Sequence, residues 1–118
     1  VNTWNLFPNL KHNKNLQTMS AFVLVEVSIH NPDLYEEYKK HTLATIQKFG
    51  GRFVVRGAKT ESLEGDWNPE RLVILEFPSV QIAKDWWASP EYTLAKEIRY
   101  QAANSKMLVV ESVGTVMG

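Results

Sequence analysis

Cysteine is absent from the 118 residues, which excludes a disulfide framework, a thiolate metal site and a cysteine nucleophile. Charge of one sign is equally lacking, since thirteen Lys and Arg balance thirteen Asp and Glu. Proteins that gather nucleic acid or an anionic membrane surface usually carry a visible excess of Lys and Arg, so neither partner is expected. No long apolar run exists: Ala21–Val25 and Leu72–Leu75 fall far short of the ~20 residues a membrane helix needs. Histidine is scarce, and His12, His30 and His41 form no HxH or HxxxH pair, so no metal is expected. No glycine-rich turn offers a phosphate cradle, and no serine stands in a nucleophile elbow. What is present is an ordinary globular composition, 44% hydrophobic and 22% charged, in a length that suits one domain.

Residues 1–18 differ from the remainder. They hold five Asn, Lys11 and Lys14, and no acid. Trp4, Leu6, Phe7 and Leu10 are too interrupted for the apolar centre of a signal peptide. The expectation is an N-terminal extension over 1–18, added or upstream-translated, with Met19 as the natural start. A single domain then covers 19–118.

From Met19 onward the chain alternates strand and helix periods. Ala21–Ile29 has a two-residue period. Asn31-Pro32 reads as an N-cap and first helical residue, followed by Tyr35, Tyr38, Thr42, Ile46 and Phe49 at helical spacing and a Gly50-Gly51 stop. Arg52–Gly57 reads as a strand, Ala58–Glu70 as a polar loop and Arg71–Phe77 as a strand. Ser79 caps a helix bearing Ala83, Trp86 and Trp87. Ser89-Pro90 breaks it and starts a second piece to about Ala103, and Lys106–Val113 is the last strand.

The order is β-α-β-β-α-β. Right-handed crossovers make this an α+β fold of ferredoxin-like type, a four-stranded antiparallel sheet with both helices on one face. Alternation assigns Val23, Val25, Val27, Ile29, Phe53, Val55, Val73, Leu75, Phe77, Leu108 and Val110 to the helix side. The other face receives Phe22, Leu24, Glu26, Arg52, Val54, Arg56, Leu72, Ile74, Glu76, Met107, Val109 and Glu111. Seven large apolar residues on that open face predict an interaction surface. Packing against a twin sheet buries it most simply, so a homodimer through the sheet face is expected, with Leu24, Val54, Ile74 and Val109 in the seam.

A set of local motifs carries a resemblance. Tyr38, Phe49-Gly50-Gly51, Val55-Arg56-Gly57, Leu63-Glu64-Gly65-Asp66-Trp67, Glu76-Phe77-Pro78-Ser79, Trp87, Ser89-Pro90-Glu91-Tyr92, Arg99 and Ser105 resemble the domain-of-unknown-function family 1330. The resemblance spans about Phe22 to Val113. It implies a dimeric α+β barrel, the fold and association that the strand faces suggest, and brings no established activity. Relatives often carry His where this chain has Phe49, so a mechanism using that histidine does not transfer. Distant members of the superfamily include cofactor-free oxygenases, a likeness of fold alone.

Candidate site residues follow from the faces. A regular hairpin places Arg52 opposite Glu76, an ion pair, and Arg56 opposite Leu72. An Arg56 without an acid suits a carboxylate or other anion, and Trp67 in the polar loop is a lid over it or a peg in the partner subunit. Tyr38 and His41, three apart on one helix, are the candidate catalytic pair. Of the adjacent Trp86 and Trp87, one packs inward and the other lines the cavity mouth with Tyr92. Arg99, seven residues after Tyr92, shares its helical face and either neutralises Glu76 or Glu111 or anchors the chain terminus. The expected protein is a cytoplasmic homodimer without a cofactor, binding a small, partly apolar anion through Arg56, Trp67, Tyr38, Trp87, Tyr92, Glu76 and Arg99. The alternatives are a cofactor-independent oxygenase or isomerase, and a structural dimer without ligand.

Overall fold

The computed structural model describes residues 20–113, so the expected extension over 1–18 lies outside the described residues. Strand β1 (Ala21–Ile29) leads into helix α1 (Pro32–Lys48), then β2 (Arg52–Ala58) and β3 (Arg71–Phe77). Two helical pieces follow, α2 (Val80–Ala88) and α3 (Pro90–Ala102), and β4 (Ala103–Glu111) closes the sheet. The sheet runs β2-β3-β1-β4 with every neighbouring pair antiparallel, the ferredoxin-like order.

Local chemistry sets the element ends. The Asn31 side chain accepts from the Leu34 N–H at 3.1 Å, and Pro32 occupies a position whose missing N–H costs nothing. Ser89 serves two helices. Its N–H and Oγ both donate to the Trp86 carbonyl, ending α2, while its Oγ accepts from the Tyr92 N–H, opening α3. Gly51 permits a close approach, because a Cβ there would lie 2.5 Å from the Phe77 ring.

The core lies between the helices and one sheet face. Trp86, Tyr92, Phe77, Ile46 and Val27 are its largest fully buried side chains, and Trp86 stacks on Tyr92 at 4.0 Å between ring centres. Trp86 is therefore the inward tryptophan, its indole N–H donating to Thr45 Oγ1 at 3.0 Å, and Trp87 is the exposed one.

Two face assignments are corrected. In β4, Met107 pairs with Val25 and Val109 with Val23, which puts both on the helix side. Leu108 and Val110 pair with Leu24 and Phe22, and at 58% and 46% exposed they belong to the open face. In β2, irregular register between Phe53 and Val55 lets Val54 and Val55 together oppose Ile74. Arg52 still meets Glu76 as expected, but Arg56 now faces Val73, not Leu72, and Val55 joins the open-face row.

Candidate functional site between the α2–α3 elbow and β4

Helices α2 and α3 meet at Ser89 over β1 and β4 and leave a cavity of about 390 Å³, within the usual range for a small-molecule site. Its walls include Trp86, Trp87, Arg99, Tyr100, Ser105 and Met107, and Lys84 adds a second cation. The sequence builds this wall through helical spacing. Tyr92, Lys96 and Arg99 fall at i, i+4 and i+7 and so share the inward face of α3.

Arg99 is only 4% exposed. Its guanidinium donates to Ser105 Oγ and lies 5.1 Å from the Tyr100 ring centre and 6.0 Å from that of Tyr38. Its Nε is buried with no hydrogen-bond partner. Every Asp and Glu of the chain falls within the described residues. The ion pairs among them belong to Lys39, Lys40, His41, Lys48 and Arg52, and none reaches Arg99. Burial works against the Arg99 charge, but interactions with Tyr92, a hydrogen bond among them, and with Tyr38 raise its pKa above the ordinary value, and a guanidinium is charged at neutral pH in any case. The guanidinium therefore stays charged, buried and without a carboxylate. Neither Glu76 nor Glu111 neutralises it.

A second buried cation stands one turn away. Lys96 is 6% exposed, and its Nζ donates to the Trp87 carbonyl at 2.7 Å and sits 3.3 Å from the Trp87 ring centre. Burial, then repulsion by Arg99, lowers its pKa. Two cations share the inward face of this helix, while Glu97 between them in sequence is exposed, which gives this end of the domain a positive interior.

Tyr38 and Tyr92 join the cluster from below. Both are buried, and their hydroxyls hydrogen-bond each other at 2.8 Å. Burial pushes the Tyr38 hydroxyl well above its ordinary pKa and raises Tyr92 as well. Each phenol is thus held neutral.

The sequence-expected residues divide into groups. Trp87 and Arg99 line the cavity, Tyr92 packs behind its wall against Trp86, and Tyr38 lines a smaller cavity on the far side of Trp86. His41 does not join Tyr38: it is exposed on α1, with Nε2 3.2 Å from Glu37 Oε2. Glu76 is occupied on the open sheet face, where its Oε1 accepts from Arg52 Nε and NH2 at 3.0 and 2.7 Å and its Oε2 from Ser20 at 2.7 Å. Trp67 is 58% exposed and donates its indole N–H to Glu26 Oε1 at 3.1 Å, which ties it to the open face. Arg56 lies across the sheet from it, with its guanidinium 4.2 Å from the Phe53 ring centre on the helix side. Trp67 is therefore no lid over Arg56 within one subunit.

Lys84, Lys96, Tyr100 and Ser105 complete these surroundings, and Arg71 lines the smaller cavity beyond Trp86; none of the five was singled out as a ligand residue. A signal existed for two of them. Lys96 sits at the spacing that puts Tyr92 and Arg99 inward, and Arg71 is in phase with the buried Val73, Leu75 and Phe77.

Fold and cavity together define a ferredoxin-like α+β domain with a cation-lined slot beneath its second helix. The family model described as Domain of unknown function (DUF1330) matches residues 20–113, and the chain belongs to that family. A protein of unknown function from Rhodopseudomonas palustris is similar at 22% identity, with 90% of each chain covered and a TM-score of 0.63. SnoaB, a cofactor-independent oxygenase from Streptomyces nogalater, is 18% identical over 79% of this chain and 91% of its own, with a TM-score of 0.55. A dimeric protein of unknown function with a ferredoxin-like fold from Bacteroides fragilis is 14% identical over 81% of this chain and 98% of its own, with a TM-score of 0.53. These identities establish likeness of fold. No curated protein matches the chain. Among the described residues no helix is long and apolar enough to cross a membrane, and no three His, Asp or Glu side chains gather as a metal site.

Proposed function

We propose that this protein is a homodimeric module that binds a small, partly apolar anion in the slot between the α2–α3 elbow and β4. One observation carries the reading: a nearly fully buried Arg99, its Nε unpartnered, faces a cavity of ligand size and meets no carboxylate among the described residues. An unpaired buried charge is costly, and an anionic group accepting from the guanidinium fork relieves that cost. Trp86, Trp87, Met107 and Val109 supply the apolar walls for the body of the ligand. The anchor is thus Arg99, where the strand pattern had pointed to Arg56.

Dimerisation is supported by the open sheet face. Phe22, Leu24, Val54, Leu72, Ile74, Leu108 and Val110 form an apolar surface too broad for a solitary subunit, ringed by Arg52, Glu76, Glu26 and Lys106. The Bacteroides neighbour is itself dimeric. Two-fold packing of sheet on sheet keeps most of each slot on the helix side, with Leu108 shared between the slot's edge and the seam.

The oxygenase reading takes its support from the fold shared with SnoaB. It needs a base beside the slot. The Tyr38 hydroxyl is shifted away from ionisation, and His41 stands outside, paired with Glu37. Binding is therefore the better-supported function.

The test is a titration of the full chain with benzoate, followed by the fluorescence of Trp86 and Trp87. Arg99→Met should weaken binding at least tenfold, about 1.4 kcal/mol. Equal affinity in the two proteins would sink the assignment. Native mass spectrometry of the freshly purified dimer should show a co-purified small acid that Arg99→Met protein lacks.

A further inference from the structure

A smaller cavity, about 40 Å³, lies on the far side of Trp86 and Met107, between α1 and the β2–β3 pair. Those two side chains line both cavities, so they form the partition. Three cations surround the smaller one: Lys39 from α1, Arg56 from β2 and Arg71 from β3. Lys39 holds Glu36 at 2.8 Å. Among the described residues neither arginine forms an ion pair, although the Lys39-bound Glu36 is near enough to Arg71 for its carboxyl pKa to be lowered, first by Lys39 and then in part by Arg71. The Arg71 Nε is buried and has no partner.

The arginines are held rather than loose. Arg56 lies 4.2 Å from the Phe53 ring centre, and Arg71 lies 5.5 Å from that of Tyr35. Gly57, at φ +80°, leaves room for the Arg71 guanidinium, since a Cβ there would come within 2.3 Å of Arg71 Cζ. The β2 irregularity that turns Arg56 to the helix side brings it beside Arg71. Two preset guanidinium forks flanked by aromatic rings match a small planar oxyanion. The space admits a group of only a few atoms.

We propose that Arg56, Arg71 and Lys39 form a carboxylate-binding site at the β2 edge, distinct from the Arg99 slot. Arg71 is the anchor, and Arg56, exposed at the rim, closes over the bound group. The site stands on its own residues and does not depend on the slot being occupied.

The orphan Nε–H supplies the readout. The Arg71 Nε–H resonance of the full chain, assigned by its loss in Arg71→Lys, is followed while sodium acetate is added, with sodium chloride at equal ionic strength as the reference. A saturable shift in acetate alone is expected. Arg56→Met should raise the midpoint at least tenfold, and Arg56→Lys, which keeps the charge and loses the fork, should raise it less. The same midpoint should persist in Arg99→Met protein. A shift that never saturates, that chloride reproduces, or that vanishes with Arg99 overturns the site. Tighter saturation by inorganic phosphate than by acetate overturns the carboxylate assignment.

Discussion

In the unliganded protein, replacing Arg99 by Met should lower stability only modestly. The reasoning starts from what the guanidinium loses and gains on folding. Its Nε is buried without a partner, an omission that costs about 1–3 kcal/mol. Against this stands the charged hydrogen bond to Ser105 Oγ, which contributes about 1.5–3 kcal/mol. Ser105 is itself only half-buried, so water can replace the lost donor. Methionine has an unbranched, flexible chain and fills an irregular gap well. These contributions largely offset one another, and the Tyr92 and Tyr38 contacts that favour the charge tip the balance, so the expected loss is about 1 kcal/mol, or roughly 4–8 °C in Tm for a domain of this size. If Arg99 were instead one half of a buried ion pair, its removal would cost about 3–5 kcal/mol. Differential scanning calorimetry and urea unfolding of the two proteins, both stripped of bound small molecules, separate these cases. A loss of about 3 kcal/mol or more would refute the claim that the guanidinium awaits an external anion.

Three further outcomes are expected. In the proposed sheet-face dimer, Leu108→Asp should break the association by placing an unpaired charge in the seam, read by sedimentation equilibrium as a fall to the 13.5 kDa subunit; an unchanged dimer would exclude this face. Because burial raises the Tyr38 and Tyr92 pKa values above those of the unfolded chain, their contribution is intact below about pH 10 and lost as pH climbs toward the folded values. Stability should therefore decline above that point by up to about 1.4 kcal/mol per pH unit for each hydroxyl, and Tyr38→Phe should make the alkaline decline shallower; an unaltered slope would contradict it. Gly57→Ala should destabilise by about 1–3 kcal/mol in urea unfolding, since φ +80° and the Arg71 guanidinium both oppose a Cβ, and a change below about 0.5 kcal/mol would count against this packing.

Much of the framework was legible because single local signals were sufficient. Asn31-Pro32 and Ser89-Pro90 mark helix starts by their own chemistry, and Val25, Val27 and Ile29 alternate with Glu26 and Ser28, which sets the phase of a strand whose first half is apolar on both faces. The Arg52–Glu76 pair followed from counting back along the hairpin from its strands. Legibility failed where the pattern held no contrast. Met107-Leu108-Val109-Val110 is apolar in both phases, so alternation alone does not choose the buried pair. Val54-Val55 hides an extra residue for the same reason, and that one residue moved Arg56 through the sheet. The site was half-visible: helical spacing grouped Tyr92 with Arg99, while the absence of any acid beside Arg99 is a property of the folded arrangement. Trp67 failed as a lid because its loop folds over the opposite face, a direction that no residue in the loop encodes.

The double duty of Ser89 reaches beyond helix capping. Because α2 ends and α3 begins on one residue, the roof of the slot is a corner, with Trp86 and Trp87 on one plane and Arg99 and Tyr100 on the other. The opening between a roof of this kind and the sheet depends on the angle of the corner, while the sheet beneath can remain unchanged. Lys96 braces the angle by reaching from the second plane to the Trp87 carbonyl on the first. Aperture is therefore tied to two residues, Ser89 and Lys96, that do not line the slot. On the proposed binding role, substitutions at the corner or the brace would alter the breadth of body the slot admits over the same floor, so that width becomes a property separable from the charge that holds the ligand.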